Sequence, residues 1–372
     1  MDTMKRKTVI LLILGILIVG AIYYLESTKV KSVLELPDNS TQDVEEIAQP
    51  LLKDGKYLLA PELTGITGYI NAEEGLELKD FRGKVVLVDF WTYSCINCIR
   101  TLPHLVAWDV KYKDKGLVII GVHTPEFEFE KKKENVQAAM EKHGITYRVV
   151  QDNNYATWRA FKNRYWPRKY LIDADGYIRY DHIGEGAYEE TEMKIQELLT
   201  EIDVEVEDMG TTGLPDETPK LPTTPELYAG YDFALSRGQN IGNQGGLQED
   251  KTNDYTLPEK KESDVIYLEG LWHSNKDNLE AKEAGASIVL DYLANDVNIV
   301  AMNGDTELEV FIDGSYVTPE MAGNDLQFDG ERAFVIVDEP RLYHLVDGKY
   351  SRHTLKLKAS KAGFSFHAFT FG

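Results

Sequence analysis

Cysteine is nearly absent from this chain. Its 372 residues include only Cys95 and Cys98, so no disulfide framework staples it together. A structural zinc site normally draws on a second cysteine pair or a His-x-x-x-His partner, and the sequence has neither. Positive charge is also scarce, with 40 Lys and Arg against 62 Asp and Glu, a formal net charge of -22. That balance argues against nucleic acid or anionic lipid as the ligand of the soluble part. Much of the acidic excess lies in residues 185–217, where twelve acidic residues face one lysine, the pattern of a solvated helix and linker. No internal repeat is present.

Long apolar runs are missing too, with one exception. Residues 8–25 are eighteen positions without a charge, preceded by Lys5-Arg6-Lys7. As a helix this run reaches roughly 27 Å, about the thickness of a bilayer core. The basic flank predicts a cytoplasmic N-terminus, with everything after residue 25 on the outer side. A cleaved signal peptide is the competing reading, and Val19-Gly20-Ala21 offers small residues for it. The run exceeds a typical signal core and continues through Ile22-Tyr23-Tyr24-Leu25, which favours an uncleaved anchor.

The length implies two or three domains. The expected division is a cytoplasmic stretch at 1–7, a transmembrane signal anchor at 8–25, a tether at 26–58, an α/β domain at 59–205, a linker at 206–262 and an all-β domain at 263–372. From Tyr69 onward β and α patterns alternate. Strands are expected at 85–90, 117–123, 147–151, 169–174 and 178–182, and helices at 95–111, 131–143, 155–163 and 189–202. That order implies a mixed central sheet covered by helices. Residues 209–225, rich in Gly, Thr and Pro, mark the linker. Beyond it, runs at 286–292, 297–302, 307–312, 333–337, 341–346, 354–358 and 364–371 alternate with turn signals such as Asn303-Gly304, Asp313-Gly314 and Asp347-Gly348. This is the spacing of a β-sandwich.

The two cysteines stand three apart in Trp91-Thr92-Tyr93-Ser94-Cys95-Ile96-Asn97-Cys98, directly after an apolar strand. A thiolate can attack a disulfide and be released by a second thiol only if that thiol lies close by, and Cys-x-x-Cys on the first turn of a helix provides this. The first sulfur then faces unpaired backbone N–H groups and the positive end of the helix dipole, which favour a thiolate. An inert structural disulfide is the bland alternative, but so short a loop restricts the unfolded chain very little. A redox-active Cys95–Cys98 pair, with no further cofactor, is the leading expectation. Asp89 interrupts the apolar strand Val85-Val86-Leu87-Val88-Asp89-Phe90-Trp91. Burying an unpaired carboxylate is costly, so this group is protonated, water-linked or functional. Six residues before Cys95, it can lie beneath the helix and take the proton of Cys98. Pro103, five after Cys98, kinks the helix that carries the pair. Pro167, in Trp166-Pro167-Arg168-Lys169-Tyr170-Leu171-Ile172-Asp173, precedes a strand where a cis bond is plausible.

These features together resemble the thioredoxin fold, and more closely the membrane-anchored TlpA/ResA-like proteins. The C-terminal region of DipZ-type proteins is similar over about residues 60–372. The motifs that carry this are Trp91 through Pro103, Gly121-Val122-His123-Thr124-Pro125-Glu126-Phe127, Arg341-Leu342-Tyr343 and Phe369-Thr370-Phe371-Gly372. The resemblance implies a thioredoxin-like α/β domain followed by an all-β jelly-roll sandwich like a carbohydrate-binding module. By it Cys95 is the nucleophile, Cys98 the resolving thiol, Asp89 the buried acid, and Glu126 a second proton-transfer group. Trp166 and cis-Pro167 shape the client groove, with Trp91 and Ser94 beside them. Disulfide-bearing exported proteins are the implied clients.

The chain departs from the pattern at Ser94, where such enzymes often carry Trp, and in its single membrane span. DipZ-type proteins place a multi-helix electron-transferring region ahead of this module, so a separate CcdA-like membrane donor is expected here. His123 reads as a packed strand-end residue, and His273, His344, His353 and His367 have no metal-type spacing. Trp272 and Tyr343 could stack on a sugar, yet they also suit a sandwich core; a glycan or protein ligand of that domain stays open. Two other functions compete. Thr92-x-x-Cys95 echoes thiol peroxidases, although the proline expected four residues before the threonine is Val88. A tethered binding protein working through the sandwich is the third.

Overall fold

A computed structural model describes residues 52–206, 209–302 and 304–372. The anchor expected at 8–25 and most of the tether lie outside these residues. Among the described residues, no helix is long and apolar enough to cross a membrane. The last tether residues form a small hairpin, β1 (Leu52–Lys53) and β2 (Tyr57–Leu58). It is docked rather than free: Lys53 Nζ lies 2.8 Å from both Asp173 and Asp175.

The α/β domain is built on β3 (Gly68–Ile70), β4 (Val85–Trp91), β5 (Leu117–His123), β6 (Arg148–Gln151), β7 (Arg168–Ile172) and β8 (Ile178–Ile183). Among the described residues these form one six-stranded sheet in the order β3-β6-β5-β4-β7-β8. β4 pairs in parallel with β5 and antiparallel with β7, and β5 pairs in parallel with β6. All seven residues of β4 are buried, as expected of a β-branched, near-continuous apolar strand covered on both faces. Helices α1 (Ile96–Tyr112), α2 (Lys133–Lys142), α3 (Ala156–Ala160) and α4 (Tyr188–Thr200) cover the sheet.

Period-two alternation sorts β4 between two cores. Val86, Val88 and Phe90 join one apolar cluster with Trp158 and Phe161. Val85, Leu87 and Trp91 join the other, with Cys98, Leu102, Leu105 and Trp108 of α1. Asp89 shares parity with this second set, so its carboxyl lies on the face that carries the helix of the cysteines. α1 earns its place by spacing: Cys98, Leu102, Leu105, Trp108 and Tyr112 recur three and four apart along one buried stripe.

Beyond the α/β domain come β9 (Leu227–Tyr228), α5 (Tyr231–Ser236), β10 (Lys251–Tyr255), β11 (Ile266–Ser274), β12 (Leu279–Ala281), β13 (Ser287–Met302), β14 (Thr306–Ile312), β15 (Ser315–Tyr316), β16 (Gln327–Asp329), β17 (Arg332–Val337), β18 (Arg341–Ala359) and β19 (Ser365–Phe371). This is a β-rich domain in which eleven described strands form one hydrogen-bonded sheet. Two sequence expectations are corrected. The 206–262 stretch, read as linker, supplies β9, α5 and β10, and β10 pairs with β11 along five residues. The runs 286–292 and 297–302 are a single strand, as are 341–346 and 354–358. The turn signal Asp347-Gly348 is absorbed inside β18 because Asp296 of β13 pairs with Asp347 across a bulge.

The two domains share a core. Val300 of β13, Leu342 of β18 and Ala368 of β19 belong to the same apolar cluster as Cys98. Phe127 and Phe129, in the loop after β5, pack edge-on against His367 of β19 at 5.0 and 4.9 Å between ring centroids. The β-rich domain therefore rests directly on the elements that carry the cysteines.

Candidate active site

β4 ends at Trp91, and the chain turns through Thr92-Tyr93-Ser94 to place Cys95 as the N-cap of α1. The Cys95 carbonyl accepts the first helical bond from Ile99 N at 3.0 Å. Both cysteines are free thiols; Cys95 is half-buried and Cys98 is 1 % exposed. The asymmetry follows from the helix: the N-cap sits at its rim, whereas Cys98, one turn in, lies on the buried stripe. Burial pushes the Cys98 thiol well above its ordinary value, reinforced by the adjacent Cys95 and by the charge of Asp89, with a backbone hydrogen bond at Thr92 opposing.

Asp89 is 1 % exposed, and neither carboxyl oxygen has a hydrogen-bond partner among the described residues. Desolvation pushes its pKa up to about 7, with the positive charge of Lys169 opposing. Lys169 is the directly paired residue on β7 and is itself buried. Its ammonium donates to the Gly184 carbonyl at 3.2 Å and lies 5.5 Å from the Tyr188 ring centroid. Burial lowers its pKa, and the charges of Asp89 and Cys98 resist that shift. A carboxyl that gains and loses its proton near neutrality thus lies on the cysteine-helix side of β4, and its charge acts on a buried thiol of raised pKa. This is the arrangement of a proton acceptor for that thiol.

The loop before Cys95 is held by a residue that the sequence reading passed over. Glu130 is fully buried, and its Oε1 accepts from Ser94 Oγ at 2.5 Å and from Ser94 N at 3.4 Å. Its Oε2 accepts from the backbone of Glu126 and Phe127 at 2.5 and 2.8 Å. Desolvation raises the Glu130 pKa, and these hydrogen bonds oppose the rise. The signal for it was the alternation Phe127-Glu128-Phe129-Glu130 ahead of a helix, where a carboxylate serves free N–H groups. Glu130→Gln replaces an acceptor oxygen with a donor facing N–H and O–H groups. We expect it to cost about 1–3 kcal/mol, seen as a thermal unfolding midpoint lowered by several degrees.

Several expected site residues need correction. Ser94 is buried and committed to Glu130, so it anchors the loop and does not line a client groove. Trp91 is also fully buried. Alternation along β4 turns its ring inward over Gly121, where an added Cβ would come within 2.8 Å of Trp91 Nε1. Glu126 is turned toward the β-rich domain: its Oε1 accepts from Tyr228 OH at 2.8 Å and from Arg237 at 3.1 Å, and no hydrogen bond joins it to either cysteine. Burial and the charges of Glu226 and Glu130 push its pKa up to about 8, against Tyr228 and Arg237. Tyr228 OH also lies 2.8 Å from Glu226, so with both carboxylates ionised its one hydrogen serves only one of them. His123 is buried, packed edge-on to Trp91 at 5.1 Å and held neutral, its pKa lowered by desolvation to about 3. The Trp166–Pro167 peptide bond is cis. Trp166 is half-buried, donates to the Thr124 carbonyl at 3.0 Å and packs on Trp158 at 4.3 Å.

Fold and site together define a thioredoxin-like redox protein. Residues 59–199 match the Redoxin family, and residues 224–372 match the family described as Thioredoxin like C-terminal domain. The chain is 30% identical over 141 residues to thiol-disulfide oxidoreductase YkuV of Bacillus subtilis, which is 38% of this chain and 94% of YkuV. It is 31% identical over 126 residues to thiol-disulfide oxidoreductase ResA of Halalkalibacterium halodurans, 34% of this chain and 68% of ResA. It belongs to this family of thioredoxin-like thiol-disulfide oxidoreductases. Similarity to the protein DipZ of Mycobacterium bovis runs further, 39% identical over 318 residues and 84% of this chain. The match spans 43% of the length of DipZ.

Proposed function

We propose that this chain is a membrane-anchored, extracytoplasmic thiol:disulfide oxidoreductase that reduces disulfides of exported client proteins. The observation that carries the reading is the pair itself: a half-exposed Cys95 at a helix N-terminus and a buried Cys98 facing Asp89. The Cys95 thiolate attacks one sulfur of the client disulfide, forming the Cys95–client bond and expelling one client thiolate. Cys98 gives its proton to Asp89 and attacks Cys95 Sγ, closing the Cys95–Cys98 disulfide and expelling the second client thiolate. Two electrons pass from the dithiol to the client; one client thiolate takes up from solvent the proton that Cys95 released on ionising, and the other takes up a proton as Asp89 gives the Cys98 proton back to solvent. Cis-Pro167 and Trp166 form the edge against which the client strand lies.

Resetting the pair outside the cytoplasm calls for electrons from across the membrane, because that compartment has no thiol pool to supply them. A CcdA-like membrane dithiol is the proposed donor, and the run at 8–25 is the proposed anchor. For the β-rich domain we propose a jelly-roll sandwich of the carbohydrate-binding-module type. The direct test measures insulin-disulfide reduction and peroxide consumption by the same preparation. Reduction of insulin dependent on Cys95 is the expected result. Consumption of peroxide without insulin reduction would replace this reading with that of a thiol peroxidase.

A further inference from the structure

The β-rich domain does more than rest on the α/β domain. Beside the helix of the cysteines the two border a half-open cavity of about 1030 Å³. One wall is Tyr93, Ile96 and Ile99 from the loop and first turns around Cys95, continued by exposed Ala138 of α2. Asn298, Leu342 and Asp347 of the β-rich domain face them. The cavity lies next to the reacting cysteine: Ile96, which lines it, directly follows Cys95, and Arg100, another lining residue, feels the charge of Cys95.

We infer that this interdomain cavity receives the polypeptide segment flanking the client's disulfide, so that the β-rich domain supplies half of the client site. The inference rests on the exchange reading above. Three features of the walls fit an extended peptide. First, two buried donors lack acceptors. Asn298 is 2 % exposed and its amide nitrogen has no hydrogen-bond partner among the described residues. The Tyr93 hydroxyl is buried and close to Asn135 without completing a bond of normal geometry. Natural interiors rarely leave such donors unmatched, and a small side-chain rotation toward the cavity would offer them to main-chain carbonyls of a bound peptide. Second, Ile96, Ile99 and Leu342 give an apolar floor for side chains. Third, of the lining charges without an ion pair among the described residues, Glu217 and Asp347 outnumber Lys142, which favours clients with a basic residue near the cysteine.

The test compares two oxidants of the reduced full chain: a short basic peptide closed by one disulfide, and 2-hydroxyethyl disulfide, which is too small to span the walls. Ala138→Trp fills the cavity from an exposed helix position, Asp347→Arg reverses a rim charge, and Asn298→Leu removes a buried donor. Each is expected to lower the ratio of peptide rate to small-disulfide rate, by roughly tenfold for Ala138→Trp. An unchanged ratio in all three overturns the inference and leaves exchange standing, as does a wild-type chain that reacts only with the small disulfide. A wild-type chain that reacts with neither overturns the exchange reading and this inference together. Recovery of the ratio only with a glycosylated peptide assigns the cavity to sugars and also overturns it.

Discussion

Cys98→Ser is expected to stall the reaction halfway, with turnover falling by more than about a hundredfold while the first attack proceeds. The reason is positional. In the native chain the resolving sulfur lies one helical turn from Cys95 and faces the same loop, so the second step is intramolecular and has a high effective concentration. Serine keeps the shape of the site but is no nucleophile toward a disulfide at neutral pH. The mixed disulfide on Cys95 therefore accumulates and is visible as a covalent adduct by mass spectrometry. Cys95→Ser is expected to give no adduct at all, because the remaining thiol, Cys98, is 1 % exposed and held protonated by its burial. Equal adduct formation by the two variants would contradict the assigned order of attack.

Asp89→Asn carries the second large effect, on rate and stability in opposite directions. In the proposed exchange ionised Asp89 takes the Cys98 proton, so the wild-type resolving step is expected to accelerate as pH rises through about 7. Asparagine cannot accept that proton, and the inflection disappears. Around pH 7–8 the step slows by about tenfold to a hundredfold, the range of a single general base. Stability moves the other way. The folded pKa lies above the unfolded value of 3.8, so the folded state binds the proton more tightly. The contribution of Asp89 is fully present below about pH 4, declines as pH rises toward 7, and leaves a constant cost above that. The asparagine variant should match wild type near pH 4 and be more stable by about 2–4 kcal/mol at pH 8. Lys169, left buried without its counter-charge, keeps the gain toward the lower figure. Denaturant unfolding at the two pH values measures this; a gain equal at both would contradict a neutral-range Asp89.

What was legible in the sequence was what local spacing encodes. A strand, a tight loop and a helix put Cys95 at the rim and Cys98 inside, because three residues make most of a helical turn. Strand parity put Asp89 on the helix side of β4. Features that depend on long-range register were not legible. Lys169 reads as an ordinary strand residue until β7 is paired against β4, opposite Asp89, and its charge acts on that carboxyl. Glu126 and Glu130 are four residues apart and chemically alike, and only the packing of Phe127 and Phe129 on the β-rich domain decides which faces Ser94. The same limit explains the β-rich domain. Asp347-Gly348 has the composition of a turn, yet opposite a matching irregularity in β13 it becomes a bulge within a 19-residue strand.

The central claim, that Cys95 and Cys98 act as one two-electron couple, is tested most directly by intact mass after a single turnover. The fully reduced chain is mixed with excess disulfide peptide, quenched with acid and weighed beside the free thiols released. The account predicts a mass lower by about 2 daltons, from one Cys95–Cys98 disulfide, and two peptide thiols per chain. A persistent peptide adduct in the wild type, or an unchanged mass with no thiol released, would contradict it.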